Sequence, residues 1–161
     1  MKGDYRNRVN QKLAFGRLNL QAVEPTQSPL QAQALLESSC FHLYCALRAF
    51  FKELADSYSL SGVDQIHSLS ALQEQLMAQG QVPAEVRELA VLAETQDSWF
   101  NGLLAAYTQV QNAESSAQPV RAEVLSLAAA GDSRCTAANL QAWLGQLTEM
   151  INRHRESMLE Y

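Results

Sequence analysis

From Cys40 to Phe51 the chain reads CFHLYCALRAFF, a run in which only His42 and Arg48 interrupt apolar side chains. Around it Leu30, Ala34, Phe41, Tyr44, Leu47, Phe51, Leu54 and Tyr58 step by three, four or seven, which predicts one long helix from about Pro29 to Tyr58. A helix that is apolar on nearly every side has to be surrounded, either in the middle of a bundle or at a contact between subunits. The rest of the chain is suited to surround it. Gly (7) and Pro (4) are scarce, whereas Ala, Leu, Gln and Glu, which lose little freedom on entering a helix, recur throughout. At 161 residues and 47% hydrophobic, the chain has the length and balance of one domain with a substantial core.

Other helices can be placed by the same spacing. Tyr5, Val9, Leu13, Gly16, Leu20 and Val23 form a stripe from Asp4 to about Val23, ended by Pro25 and Pro29 with Thr26 and Ser28 as caps. SLSGVD is a loop turning at Gly62. Ser68 or Ser70 caps a third helix with Leu72, Leu76 and Met77, ended by Gly80, and Pro83 opens a fourth through Val86, Leu89, Ala90 and Ala93. Thr95 or Asp97 restarts the chain with two stripes, Trp99/Leu103/Ala106/Val110 and Phe100/Leu104/Tyr107. No Pro or Gly separates these last two helices, so one bent helix stays open. NAESSAQP reads as loop and VRAEVLSLAAAG as a short helix or an edge segment, with the helix favoured. After Thr136, Leu140, Leu144, Leu147, Ile151, His154 and Met158 define the final helix, broadened by Trp143 and Met150. Gly102 and Gly145 are expected to permit close helix approach. The expectation is an all-α, single-domain bundle over residues 1–161, with five to six helices and an up-and-down four-helix core.

Charge is uneven along this frame. In residues 1–20, Lys2, Arg6, Arg8, Lys12 and Arg17 stand against Asp4 alone, a balance of +4 that leaves −9 for the rest of a chain whose total is −5. That total disfavours a general nucleic-acid binder, and the basic first helix solvates one face, pairs with acidic neighbours or meets an acidic partner. Cys40, Cys45 and Cys135 have no CxxC spacing. A five-residue separation turns Cys40 and Cys45 apart on a helix, so reduced, packed thiols are expected. MKGDYRNRVNQ lacks the apolar core of a signal peptide, and no window approaches a membrane span, which points to the cytoplasm.

Templates for chemistry fit poorly. His42, His67 and His154 supply no HxxxH, HExxH or ExxH pair for a metal in a bundle, and neither metal nor cofactor is expected. His42 with Cys45 is the one His/Cys pair at i, i+3, and a core histidine bonded to a carbonyl or an acid is the favoured reading. Helical RNA-cleaving bundles of the HEPN kind need an arginine followed four to six residues later by a histidine on the last helix. Here Arg153, His154 and Arg155 are adjacent, so His154 is assigned to packing or a helix C-terminal contact. No GxSxG elbow, catalytic-cysteine signature or P-loop is present. Glu85, Glu88, Glu94 and Asp97 read as helix-start charges. Most of Phe41, Tyr44, Phe50, Phe51, Trp99, Phe100, Tyr107 and Trp143 should be core.

At RVNQKLAFGRLNLQA, SCFHLYCAL, DSWFNGLLAAY and DSRCTAANLQAWLGQL the chain resembles a family of short all-helical proteobacterial proteins of unknown function. The resemblance implies a bacterial cytoplasmic origin and one domain, with no activity or site residue to carry over. Asn10, Gln11 and Lys12, if they meet Asp132, Ser133, Arg134, Asn139 and Gln141, would form a polar binding site. The leading expectation is a non-enzymatic protein that acts through a protein partner or as a homodimer, with Arg6, Arg8, Lys12, Arg17, Trp99 and Trp143 as contact residues. Alternatives are a small-ligand-binding or enzymatic bundle whose interhelical pocket uses His42, Tyr44 and Arg48, and nucleic-acid binding by the first helix.

Overall fold

Side-chain caps punctuate the chain in the computed structural model, which describes residues 4–112 and 134–159. The Asp4 carboxylate accepts the Asn7 N–H and opens α1, Tyr5–Gln21. Ser28 and Gln31 form a reciprocal capping box before α2, Pro29–Ser57, and Pro29 takes the first helical turn, where its missing N–H costs nothing. Gly62, at φ +66°, turns the chain into a short 3-10 segment, Val63–Gln65. Ser68 caps α3, Leu69–Ala78, and Pro83 stands at the cap position of α4, Ala84–Glu94, rather than inside it. Thr136 caps α6, Ala137–Ser157. The expected short helix at VRAEVLSLAAAG lies outside the described residues.

Helices four and five are separate. Ser98, not Thr95 or Asp97, caps α5, Trp99–Gln111, by accepting the Asn101 N–H. The Asn101 amide in turn donates to the carbonyls of Leu92, Ala93 and Thr95 at 3.2, 2.8 and 2.9 Å. One side chain thus bridges the end of α4 to the start of α5, pairing the Ala93 carbonyl and sharing those of Leu92 and Thr95 with Ser98, and no Pro or Gly is needed for the break.

The core is an up-and-down arrangement of α1, α2, α5 and α6. Helices α1 and α2 run antiparallel, tied where Ser39 donates to the Gly16 carbonyl (2.9 Å) and Asn19 to Ser38 (2.9 Å). An added Cβ at Gly16 would stand 3.2 Å from Leu43, which explains glycine at this crossing. Helices α5 and α6 are antiparallel as well, because Gly102 meets Trp143 at one end and Gln109 accepts the Arg134 N–H at the other. Helices α3 and α4 sit where α2 and α6 end. Phe50, Leu43, Leu47, Leu54, Leu103, Leu140, Leu147 and Ile151 are fully buried between the four core helices.

The long apolar helix is central, packed on α1, α3, α5 and α6. Its inward stripe differs from the expected one over the first half: Cys40, Leu43, Leu47, Phe50 and Leu54 point inward, while Leu30 is 64% exposed and Phe41 43%. A helix apolar all round offers several overlapping stripes at the same spacing, so periodicity alone cannot select one. Gly145, expected at a close approach, has nothing within 4 Å of an added Cβ. No helix among the described residues is long and apolar enough to cross a membrane.

Candidate functional site

On α1, Arg8, Lys12 and Phe15 lie one and two turns apart and face α2, where Phe41, His42, Tyr44, Cys45 and Arg48 occupy the adjoining surface. The Lys12 ammonium is almost buried, with Nζ 5.6 Å from the ring centres of both Phe15 and Phe41, within cation–π range. The His42 ring stands edge-on to the same two rings at 5.2 and 5.4 Å. Beside them Tyr44 stacks on Tyr107 of α5 at 3.7 Å and 11° between planes, and Phe41 lies 6.4 Å from Tyr107. The Arg48 guanidinium is 5.9 Å from the Tyr44 ring, and its Nη2 is 2.9 Å from His67 Nδ1. An arginine nitrogen can only donate, so that His67 nitrogen accepts.

This face is cationic and aromatic, and its polar groups are not all used. His42 Nδ1 and Arg48 Nε are shielded from solvent and have no hydrogen-bond partner. Burial, then Lys12 and Arg8, hold the His42 imidazole below its usual pKa. Burial pushes the Cys45 thiol up despite the opposing field of Lys12, Arg48 and Arg8. The pair at i, i+3 is therefore a neutral imidazole beside a protonated thiol, the reverse of the thiolate–imidazolium state that nucleophilic cysteines need. What the arrangement suits is attraction of negative charge and contact with flat or apolar groups through Phe15 (38% exposed) and Phe41.

Of the residues singled out from sequence, His42, Tyr44, Arg48, Arg8 and Lys12 meet on this one face. His42 is not the core histidine expected, because it is half-buried between two phenylalanines at the bundle surface. Arg6 and Arg17 belong elsewhere: at about 100° per residue they fall on the opposite flank of α1 from Arg8 and Lys12. Arg17 borders an open groove of about 500 Å³ with Gln141, Gly145, Thr148 and Asn152 of α6, and the Arg6 carbonyl receives Arg155 Nη2. Trp99 and Trp143 are each 9% exposed and belong to the core, so neither supplies a contact surface. The expected polar cluster does not assemble. Asn10 accepts from Arg155 at 2.8 Å, whereas Asn139 donates to the Arg134 carbonyl, and positions 139 and 155 of α6 are about 24 Å apart. Asp132 and Ser133 lie outside the described residues. Phe15, Tyr107 and His67 are members of the face that sequence spacing did not single out.

A second polar assembly closes the opposite end of α6. Arg153 meets Glu88 at 2.8 Å, His154 Nδ1 lies 3.5 Å from Glu85, and Arg155 bonds Glu53. Successive side chains of a helix diverge by about 100°, so Arg153, His154 and Arg155 address three different glutamates on α4 and α2. Glu85 and Glu88 are thus not merely helix-start charges. Burial works to raise the Glu85 pKa, yet bonds to its backbone and to the Tyr58 hydroxyl (3.1 Å), together with the nearness of His154, prevail and hold it down. His154 is buried edge-on to Phe50 at 5.7 Å, as its place on the apolar stripe predicts.

Among the described residues no group of three or more His, Cys, Asp or Glu is placed to hold a metal ion. No curated protein and no solved structure matches the chain. Over residues 1–161 it matches the model of DUF6586, a family of unknown function, and it belongs to that family.

Proposed function

We propose that the protein is a non-catalytic binding module that docks an acidic, apolar-faced segment of a partner protein on the α1/α2/α5 face. The observation that carries this reading is Lys12 held between the half-exposed rings of Phe15 and Phe41, with Arg8 and Arg48 flanking it. Exposed phenylalanines reward burial by a partner's apolar side chains, and the surrounding cations select carboxylates. A long polyanion such as nucleic acid would also meet the −9 carried by the rest of the chain, which favours a short acidic segment over it. His42, Tyr44 and Arg48 line neither the α1/α6 groove nor the α3/α4 groove, so they serve this open face better than an enclosed ligand pocket. The setting in this proposal is the bacterial cytoplasm, supported by three cysteines that are all unbridged.

Fluorescence anisotropy of a labelled amphipathic peptide bearing Leu on one face and Glu on the other tests the reading. Binding should weaken at least tenfold on Arg8→Glu or Phe41→Ala, both exposed, and should fade with salt. Equal binding of a Gln-for-Glu peptide, or preference for oligothymidylate on the same face, would overturn it.

Self-association is the second reading, favoured by Met77, Val82 and Val91, which are 62 to 70% exposed on and between α3 and α4 beside a shallow apolar groove of about 80 Å³. Arg87 lines the groove itself, and Glu74 and Glu94 on the same two helices offer the carboxylates that the cationic face would accept. Such a contact joins unlike surfaces and produces open chains of copies. Sedimentation velocity should then show mass rising with concentration and falling with salt, and a constant monomeric mass would remove this reading.

A further inference from the structure

Of the three imidazoles, His67 is bonded to Arg48 and His154 lies 3.5 Å from Glu85, whereas His42 has neither a hydrogen bond nor an ion pair among the described residues. It shares an aromatic clamp with Lys12. The His42 ring stands edge-on to Phe15 at 5.2 Å and to Phe41 at 5.4 Å, and the Lys12 ammonium is 5.6 Å from the centres of the same two rings. The imidazole is half-buried with Nδ1 shielded, so Nε2 is the nitrogen that a bound molecule can reach. Around it α1 presents Arg8 and Lys12, and α2 itself carries Tyr44, Cys45 and Arg48. Tyr107 of α5 stands beside Phe41 and Tyr44, and His67 adjoins through Arg48. Within ion-pairing distance of the His42 ring there is no carboxylate among the described residues.

We propose that docking on the cationic face is proton-linked: a partner carboxylate that reaches Lys12 also lies over His42 Nε2, draws a proton onto the imidazole and makes it a further cation of the site. This inference rests on the acidic-segment reading and adds to it the control of that face by pH. In the free protein, burial of the ring and the fields of Lys12 and Arg8 disfavour the imidazolium, and the chain supplies no acid to offset them. A carboxylate at hydrogen-bond distance reverses that balance. The two phenyl rings assist, because their centres lie as close to the imidazole as to the ammonium and attract a second cation in the same way. One proton is taken from solvent for each segment bound, and by linkage a lower pH strengthens docking as docking strengthens proton binding. The free imidazole titrates below 6.5 and the occupied one above the free one. Affinity therefore rises as pH falls through the occupied value and levels off below the free one.

The test uses the full chain and the amphipathic Leu/Glu peptide with acetylated and amidated ends, at constant ionic strength. The peptide's glutamates stay ionised between about pH 6 and about pH 8, so its charge does not change over the range. Anisotropy should show binding about fivefold tighter at the lower pH, and His42→Gln should bind equally at both. In histidine ring NMR spectra of the parent, saturating peptide should raise the titration midpoint of His42 and leave that of the buried His154 in place, a readout that depends on no variant. Equal binding at both pH values, or a dependence that survives His42→Gln while the His42 midpoint stays unmoved, would overturn the proposal and leave the acidic-segment reading standing. Absence of binding at either pH removes that reading and the proton linkage with it.

Discussion

Arg155 and Glu53 grip each other at two points inside the bundle, Nε to Oε1 at 2.7 Å and Nη2 to Oε2 at 2.9 Å, with the side chains 13% and 9% exposed. The same guanidinium also donates to Asn10, so one side chain of α6 holds α2 and α1 together. Removing Glu53 strands a buried cation, and Glu53→Ala should cost about 3 kcal/mol in urea unfolding. Replacing both partners with apolar residues should cost clearly less than Glu53→Ala alone.

Gly102 and Gly145 give opposed outcomes for one substitution. An alanine Cβ at position 102 would stand 2.8 Å from Trp143 Cζ2, and the indole is too enclosed to move aside freely. Gly102→Ala should destabilise by about 1–3 kcal/mol. At position 145, inside α6 with open space around it, Gly→Ala should stabilise by roughly 0.5–1 kcal/mol. Thermal unfolding of the two variants side by side reads both signs.

Asn101 carries the break between α4 and α5. Asn101→Ala strips the Ala93 carbonyl of its partner and weakens the pairing of those of Leu92 and Thr95, and should destabilise by about 1–2 kcal/mol, with raised amide exchange confined to the end of α4 and the start of α5.

Acid sensitivity should come from two groups in separate pH ranges. Folding holds the His42 pKa below 6.5, so the unfolded chain binds that proton more readily and stability falls as pH drops through about 6.5. Glu85 is held below 4.5, so its contribution is present above that value and is lost as pH falls through its lower folded value. Urea midpoints of His42→Gln should decline less than the parent's between about pH 7 and pH 5, and Glu85→Gln should flatten the profile only below that range.

Much of the architecture was legible because it rests on local rules. Ser28, Ser68 and Thr136 cap as their types predict, Gly62 turns, and the α6 stripe from Leu140 to Ile151 is buried as spaced. The α4/α5 break was not legible, since it depends on an asparagine reaching back across a turn. The cationic, aromatic face was half legible. His42, Tyr44, Arg48, Arg8 and Lys12 stand out by type, but Tyr107 and His67 join them only through tertiary contacts. The two tryptophans misled because size and hydrophobicity suit a core and an interface equally.

On the proposed reading one face of the bundle, not a pocket or the tryptophans, does the binding. Amide chemical-shift mapping of the full chain titrated with the acidic amphipathic peptide tests it most directly. Saturable shifts confined to Arg8, Lys12, Phe15, Phe41, His42, Tyr44, Arg48 and Tyr107 are expected. Shifts centred on the α1/α6 groove around Arg17 and Gly145, or no shifts at low salt, would contradict it.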